Sequence, residues 1–224
     1  MIGADVGGRK HVLTIESGAR ESTIAWSNVL KSLQRRGLAS PKLVIGDGHL
    51  GIWAVLRDIY PEADQGRCWN HKILNVIDQF PRRVQHKAEA LVRQIPQAET
   101  LAAANRLRKR FCDEFGAEFP KGVATLERDW ERMVTFYRYP KEHWLHLRTS
   151  NVVESPFAAV RLRTDAAKRY KKVANATAAI WKLMMVAEKG FRRLQGYELM
   201  AKVDEGVEFK DGIEVVKVSR SYAA

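Results

Sequence analysis

The sequence predicts an α/β protein in which a unit of strands and helices is interrupted by a long stretch of helices alone. Over residues 1–70, short β-branched runs alternate with segments of helical apolar spacing, in the order β-β-α-β-α-β. From residue 70 to about residue 140 the helical spacing continues without strands. Two acids stand at the ends of predicted elements, because Asp47 follows a strand and Glu154 lies where a later helix begins. The central question is whether these two carboxylates meet.

The first seventy residues open with a predicted β-hairpin. Met1–Ala4 is short and apolar, Asp5–Gly8 has the composition of a turn, and Arg9–Ile15 alternates polar and apolar residues. The elements that follow are a helix over Glu21–Arg36 with Gly37 as its C-cap, a strand from Leu43 that ends at Asp47, a helix over Gly51–Ile59 and a short strand over Ala63–Cys68.

The rest of the sequence is mostly helical. Its aromatic residues recur at helical spacing, which is typical of core packing rather than of base stacking. The predicted elements are an apolar stripe over Ile73–Phe80, helices over Val84–Ile95, Glu99–Phe115 and Gly122–Phe136, a helix after Glu154, a basic loop over Ala166–Val173, a helix over Ala174–Leu194, and a tail hairpin over Val203–Val218 that turns at Asp211-Gly212.

The composition favours a protein that contacts nucleic acid. The 224 residues carry a formal net charge of +12 with a pI near 9.8, which favours a polyanionic partner; an inert basic surface is the alternative. Two cysteines, Cys68 and Cys112, form no disulfide framework and indicate a reducing cytoplasm. No apolar run approaches the ~20 residues of a membrane span, and no signal segment is visible, so we expect no membrane partner.

Asp47 and Glu154 each admit two interpretations. An Asp before a Gly is usual in a turn, but an acid at a strand end is also a rigid mount for the metals of phosphoryl transfer. Glu154 stands three residues after Asn151, which is the spacing of a capping box, or directly before a cap formed by Ser155-Pro156. In both cases it lies at a helix start, where the dipole attracts carboxylates and phosphates.

Two pairs of residues have the spacing of zinc half-sites. Cys68 and His71 form a C-x-x-H pair, and His143 and His146 form an H-x-x-H pair. The whole predicted helical region separates the two pairs, which favours buried, hydrogen-bonded side chains over a zinc site.

Basic residues cluster after Glu154. Dense charge beside an aromatic residue in a loop suits contacts with DNA phosphates, although a solvated helix face has the same composition. The candidates for DNA contact are Arg161, Arg163, Lys168, Arg169, Lys171 and Lys172.

An ordered set of motifs resembles the Mutator-type transposases of bacterial insertion sequences. The motifs are Gly3–Lys10, Asp47–Gly51, Tyr60–Ala63, Cys68–Asn75 and Arg148–Ser155, with Arg161–Thr164 and Trp181. Each is weak alone, but the ordered set is specific and covers roughly residues 1–200. The resemblance implies an RNase H-like fold interrupted by an all-helical insertion. The core would comprise residues 1–74 and 147–196, the insertion residues 75–146, and a tail residues 197–224.

The resemblance also implies a chemistry. The family cuts and joins double-stranded DNA, at transposon ends and target, with a D-D-E triad and Mg²⁺ or Mn²⁺. By motif match Asp47 is the second Asp and Glu154 the Glu, and both would be catalytic metal ligands. Cys68 and His71 match the family's C-x-x-H element, which supports the structure of the catalytic centre. A homo-oligomer acting on DNA in the bacterial cytoplasm, at the nucleoid, is the expected form.

The sequence differs from the family pattern at its N-terminal end. The family's first catalytic Asp lies upstream of the stretch that matches Met1–Lys10. Only two predicted strands precede the helix at Glu21, where an RNase H-like sheet opens with three. We therefore expect an N-terminally truncated transposase in which the first strand and its acid are absent and Asp5 is a turn residue. The alternative function is a catalytically inactive, DNA-binding or regulatory remnant.

Overall fold

A computed structural model describes residues 1–16, 22–48, 50–166 and 170–216, and shows a mixed α/β protein that is mostly helical. The order of elements in the first seventy residues is the predicted one. These elements are β1 (Ile2–Ala4), β2 (Lys10–Val12), α1 (Thr23–Arg35), β3 (Leu43–Gly46), α2 (Leu50–Ile59) and β4 (Asp64–Arg67). No helix in the described ranges is long and apolar enough to cross a membrane.

The four strands form two pairs. β1 and β2 make an antiparallel hairpin, and β3 and β4 are parallel, with α2 as their crossover. In the parallel pair Gly46 lies opposite Arg67, so the next residues, Asp47 and Cys68, leave the sheet at the same edge. The register of this pair therefore brings the ends of two predicted motifs together.

Helix α1 has the predicted boundaries within two residues. Its N-cap is Ser22, whose side chain accepts a hydrogen bond from the backbone N–H of Ala25 at 3.2 Å. Beyond its C-terminus Gly37 has a φ of +92°, and the Leu38 N–H donates to the carbonyl of Leu33 at 3.0 Å, so Gly37 terminates the helix as predicted. Helices α1 and α2 share a buried core that includes Leu30, Leu33, Trp53 and Leu56.

Residues 69–147 are helical and enclose a core of their own. The elements are α3 (Trp69–Ile77), α4 (Arg82–Val92), α5 (Leu101–Phe115), α6 (Pro120–Glu127), α7 (Trp130–Val134) and α8 (Trp144–Leu147), with 3₁₀ turns at Ile95–Gln97, Thr135–Arg138 and Lys141–His143. Trp69, Phe111 and Trp144 are almost fully buried in this core, so the aromatic stripes pack internally, as predicted.

The prediction of one helix over Gly122–Phe136 is wrong. The chain breaks between α6 and α7, where Asp129 takes a left-handed conformation with φ +71°. At this break the Asp129 carboxylate pairs with the buried cations of Arg67 and Lys72.

The C-terminal part packs back onto the hairpin. Its elements are α9 (Asn151–Ala166), α10 (Val173–Glu188), a 3₁₀ turn at Tyr197–Leu199, α11 (Met200–Asp204), β5 (Phe209–Lys210) and β6 (Ile213–Glu214). Val160 of α9 and Met184 of α10 are buried against Val12 of β2. Packing against the hairpin and α10 thereby fixes the direction of α9.

Two predicted boundaries near the C-terminus are corrected. Helix α10 ends at Glu188 rather than at Leu194, because the Leu194 N–H bonds to the Gly8 carbonyl at 2.9 Å and draws the chain onto the hairpin turn. The tail hairpin is shorter than predicted, since residues 200–204 are helical; its turn lies at Asp211-Gly212, as predicted, with both residues at positive φ.

Candidate active site

Two segments that are about eighty residues apart in sequence lie side by side. They are the Cys68–His71 segment at the start of α3 and the Arg148–Glu154 segment at the start of α9. Their contacts are the Ser150 N–H donating to Cys68 Sγ (3.3 Å), the Trp69 N–H donating to the Arg148 carbonyl (2.8 Å), Asn70 Nδ2 donating to Asn151 Oδ1 (3.1 Å), and His71 Nδ1 at 3.8 Å from Glu154 Oε1.

The Arg148–Glu154 segment is anchored from the helical region. The guanidinium of Arg148 donates to the Pro96 carbonyl at 2.7 Å and lies over the rings of Phe136 and Trp144. This anchor holds the chain where its next residues meet the Cys68–His71 segment.

Glu154 lies in the first turn of α9, and neither predicted capping arrangement occurs. Asn151 is inside the helix and its side chain bonds to Asn70, while Ser155-Pro156 lies beyond the first turn. The Glu154 carboxylate instead accepts a hydrogen bond from the Ser150 hydroxyl, and about half of the Glu154 side chain (49%) is exposed. The carboxylate is therefore held in place and open to solvent.

Asp47 is exposed at the end of β3, beside the Cys68–His71 segment. The carbonyl of Gly46, the residue before Asp47, accepts a hydrogen bond from the Cys68 N–H at 2.8 Å. The end of β3 is thereby attached to the start of the Cys68–His71 segment. Gly48 follows with a φ of +102°, and a Cβ there would overlap the guanidinium of Arg67. The turn after Asp47 thus requires glycine for both its conformation and its close contact.

The structure gathers one group of possible metal ligands in the described residues. One ligand atom from each of Cys68, His71 and Glu154 lies within 4.8 Å of the others. Asp47 does not belong to this group, although it leaves the neighbouring strand at the same edge.

The alternative of a zinc site formed by the two pairs, with one cysteine and three histidines, is wrong. His143 is buried and hydrogen-bonds to the Gly196 carbonyl at 2.8 Å, and His146 Nε2 accepts from the Gln195 N–H at 3.1 Å. Burial, Lys10 and His143 together lower the pKa of His146. These two histidines hold the C-terminal chain against α8 and do not join Cys68 and His71.

A buried ion cluster lies behind the site. Asp129 is paired with Arg67, with Lys72 Nζ at 3.5 Å and with Arg132 at 3.0 Å, and its side chain is only 7% exposed. Burial and Arg67 lower the pKa of Lys72 to about 8, against the opposing effect of Asp129. Burial raises the pKa of Asp129, but Arg67 and Lys72 outweigh it and hold that pKa below its usual value.

Sequence reasoning missed this cluster. One signal was present, since Lys72 stands four residues before Val76 and therefore on the apolar face of α3. A lysine on such a face needs a buried partner. Nothing in the local sequence identifies Asp129, fifty-seven positions later, as that partner.

Asp5 lies in the turn of the β1–β2 hairpin, as predicted. Its Oδ1 accepts the backbone N–H groups of Gly7 and Arg9, each at 2.9 Å, and its Oδ2 lies 3.0 Å from His11 Nε2. The hydrogen bond with His11 holds the pKa of Asp5 below its usual value, and the same bond raises the pKa of His11. The carboxylate is used by its own turn.

The basic residues are distributed around the C-terminal end of α9. Arg161 and Arg163 of that helix are exposed, as are Lys171 and Lys172 before α10, whereas Lys168 and Arg169 lie outside the described residues. In a regular helix Arg161, seven residues after Glu154, shares its face about 10 Å further on. Arg163 is nine residues on and projects from the opposite face.

The site and the fold together define a basic α/β protein that presents carboxylates at a strand end and a helix start, with exposed arginines further along the same helix. Residues 1–193 match the family described as "Transposase, Mutator family". The chain belongs to this family, which confirms the resemblance read from the ordered motifs.

Similar curated proteins are transposases of insertion sequences. The chain is 40% identical over 212 residues to the transposase for IS6120 of Mycolicibacterium smegmatis, covering 95% of this chain and 66% of that protein. It is 39% identical over 214 residues to the transposase for IST2 of Acidithiobacillus ferrooxidans, covering 95% and 72%. For the transposase for ISRM5 of Rhizobium meliloti the identity is 31% over 163 residues, covering 73% and 41%. The chain thus spans about two thirds of the length of the first two.

Proposed function

We propose that this protein is the transposase of an insertion sequence and that it cuts and joins DNA at a D-D-E site that includes Asp47 and Glu154. The observation that carries the proposal is the pairing of the Cys68–His71 and Arg148–Glu154 segments. It supports a shared site because Glu154 lies beside Cys68, and Cys68 leaves β4 at the edge where Asp47 leaves β3. The names of the similar curated proteins support the same activity.

The donor chemistry of the two acids fits Mg²⁺ or Mn²⁺. Carboxylate oxygens are the ligands these cations take, and both side chains are accessible to solvent and therefore to DNA phosphates. When bound, the metal would neutralise charge that develops on the transferring phosphoryl group. The protein's own contribution is positional, because the Ser150 hydroxyl holds one oxygen of Glu154 in place.

We extend the proposal to the architecture, as an RNase H-like core with a helical insertion. The order β-β-α-β-α-β of the first seventy residues supports it, as does the separate aromatic core of residues 69–147. The insertion would then be residues 75–146, flanked by core residues 1–74 and 147–196, with residues 197–224 as a tail.

We propose double-stranded DNA as the partner. The exposed Arg161 shares a helix face with Glu154, and Lys171 and Lys172 are exposed at the start of α10. Such contacts to phosphate would position a duplex across the carboxylates without reading its sequence. Joining DNA requires two ends at once, so the active form would be a homo-oligomer.

The test is strand transfer by this protein on duplexes that carry the ends of its own insertion sequence, with Mg²⁺ or Mn²⁺ present. Asp47→Asn and Glu154→Gln should each lower product by more than about 100-fold, beyond the effect typical of outer-shell residues. The matched control is Asp113→Asn on α5, an exposed acid that pairs with Lys109 and lies outside the candidate site; this variant should retain product. Equal product from the Asp47 or Glu154 variant would contradict the assignment.

A second candidate is a DNA-binding regulator without catalysis. It is favoured by the motif match, which assigns only Asp47 and Glu154 of the triad to this chain, and by Asp5, which its own turn engages. This candidate predicts salt-sensitive binding of end DNA that is unchanged by Asp47→Asn. Binding with no product in either metal would support the regulator and contradict the catalytic proposal.

A further inference from the structure

We propose that Cys68, His71 and Glu154 form a binding site for a thiophilic divalent cation of the Zn²⁺ class. These three side chains come from the starts of α3 and α9, and they supply one sulfur, one nitrogen and one oxygen ligand. Zn²⁺ takes this mixed set readily. Mg²⁺ favours oxygen alone, so the site is chemically different from the carboxylate pair proposed for strand transfer.

The spacing of the ligand atoms suits a tetrahedral ion. From usual Zn–ligand bond lengths, donors around zinc lie about 3.3 to 3.8 Å apart. His71 Nδ1 and Glu154 Oε1 are 3.8 Å apart, and one ligand atom from each of the three residues lies within 4.8 Å of the others. Closing the remaining gap requires small rotations of two partly exposed side chains, while Cys68 stays fixed in the core.

Cys68 offers a sulfur ligand in a fixed position. It is fully buried at the N-cap position of α3, and its side chain makes no capping hydrogen bond. Its sulfur instead accepts the Ser150 N–H at 3.3 Å. Hydrogen bonds of this kind orient and stabilise metal-bound ligands from outside the first coordination shell.

His71 and Glu154 supply an independent indication. The Nδ1 atom of His71 is buried, yet among the described residues it has no hydrogen-bond partner. A bond to a metal ion would satisfy this buried polar atom. Glu154 is held by the Ser150 hydroxyl, so the same residue supports both the sulfur and the carboxylate ligand.

Three protein ligands leave a fourth position open. The side chains of His71 and Glu154 are 39% and 49% exposed, so that position faces solvent and the ion can exchange. Bound metal would lock the start of α3 to the start of α9. One consequence rests on the proposed function: Zn²⁺ would withdraw Glu154 from Mg²⁺ and inhibit strand transfer.

The experiment is a Co²⁺ titration of the reduced, metal-free chain, without DNA or Mg²⁺. We expect one equivalent to bind, with visible tetrahedral absorption and a near-ultraviolet thiolate-to-cobalt band that Zn²⁺ abolishes and millimolar Mg²⁺ leaves unchanged. Cys68→Ser should abolish the charge-transfer band, and His71→Asn and Glu154→Gln should each weaken binding at least about tenfold. Cys112→Ser, at the other cysteine, is the matched control and should bind as the parent does.

Several outcomes would overturn the proposal. They are the absence of a thiolate band, an affinity unchanged by His71→Asn or by Glu154→Gln, and loss of the band in Cys112→Ser. Because Cys68 is buried, its variant is checked by circular dichroism; the other two changes are at partly exposed side chains, so they decide the matter if Cys68→Ser does not fold. A protein that fails to transfer strands can still pass this test, so the two proposals fail separately.

Discussion

The segment from Arg67 to Lys72 carries a polar cluster on each side, and the two clusters are built differently. Behind it, Asp129 meets Arg67, Lys72 and Arg132 in a buried ion cluster whose carboxylate is paired on both oxygens. In front of it, the candidate site places Glu154 beside Cys68 and His71, with about half of its carboxylate side chain exposed. The short segment from Arg67 to Lys72 thus separates a buried, paired ion cluster from a site that is open to solvent.

The difference indicates what each cluster is for. Buried charges are costly unless every one is paired, so the Asp129 cluster fixes the helical region against β4. A side chain that is half exposed contributes little to stability, yet it is accessible to metal and DNA. We therefore expect substitutions behind the segment to change unfolding and those in front of it to change function.

The largest expected effect comes from Asp129→Asn. The amide keeps the size of the side chain, and Asn tolerates the left-handed conformation at this position. The change leaves Arg67 and Lys72 buried without a counter-charge, so we expect a loss of about 3 to 5 kcal/mol in the free energy of unfolding. Denaturant titration followed by circular dichroism measures it.

Glu154→Gln is the matched control for that prediction. It makes the same chemical change at a half-exposed carboxylate, and it should alter the free energy of unfolding by no more than about 0.5 kcal/mol. Comparable losses in the two variants would show that the two clusters do not differ in the way proposed.

A smaller effect of opposite sign is expected for Lys72→Met. The ion cluster contains three cations and one carboxylate, and burial together with Arg67 already disfavours the charged form of Lys72. Replacing the ammonium by an apolar group of similar length leaves Asp129 paired with two guanidiniums. We expect the free energy of unfolding to be unchanged or to rise by about 1 to 2 kcal/mol.

The same denaturant titration decides this prediction. A loss greater than about 1 kcal/mol would show that the hydrogen bond from Lys72 to the Arg128 carbonyl matters more than the excess of positive charge. The acceptor of this hydrogen bond is a backbone carbonyl, so a substitution of the Arg128 side chain would not remove it.

Local pattern predicted the front of the fold well. The hairpin turn at Asp5, the C-terminal glycine of α1 and the strand that ends at Asp47 follow from turn chemistry and periodicity, which act over a few residues. The family resemblance identified Asp47 and Glu154 as candidate ligands of one metal site. Spacing alone favoured a turn residue and a helix cap.

The rest depends on contacts that no local pattern contains. Asp129, at the break between α6 and α7, pairs with cations on other elements. The local sequence of residues 122–136 does not contain these partners, so it looks like one helix. Similarly, the C-x-x-H spacing of Cys68 and His71 could not identify Glu154 as their neighbour, because Glu154 reaches His71 only after α9 packs on the hairpin. Long-range charge pairing and helix docking are the physical reasons for these misses.

The smallest expected effect concerns DNA binding by the basic C-terminal end of α9, on the side of the candidate site. Arg161→Ala should weaken binding of an end duplex about threefold, near 0.6 kcal/mol, and lower the salt dependence by about one ion, because Arg161 shares the face of Glu154. Arg163→Ala is the matched control, since it removes an exposed arginine from the opposite face of the same helix. Fluorescence anisotropy across a salt series measures both variants. Equal losses would mean that DNA does not lie along the Glu154 face, and a larger loss from Arg163→Ala would place the duplex on the other side of α9.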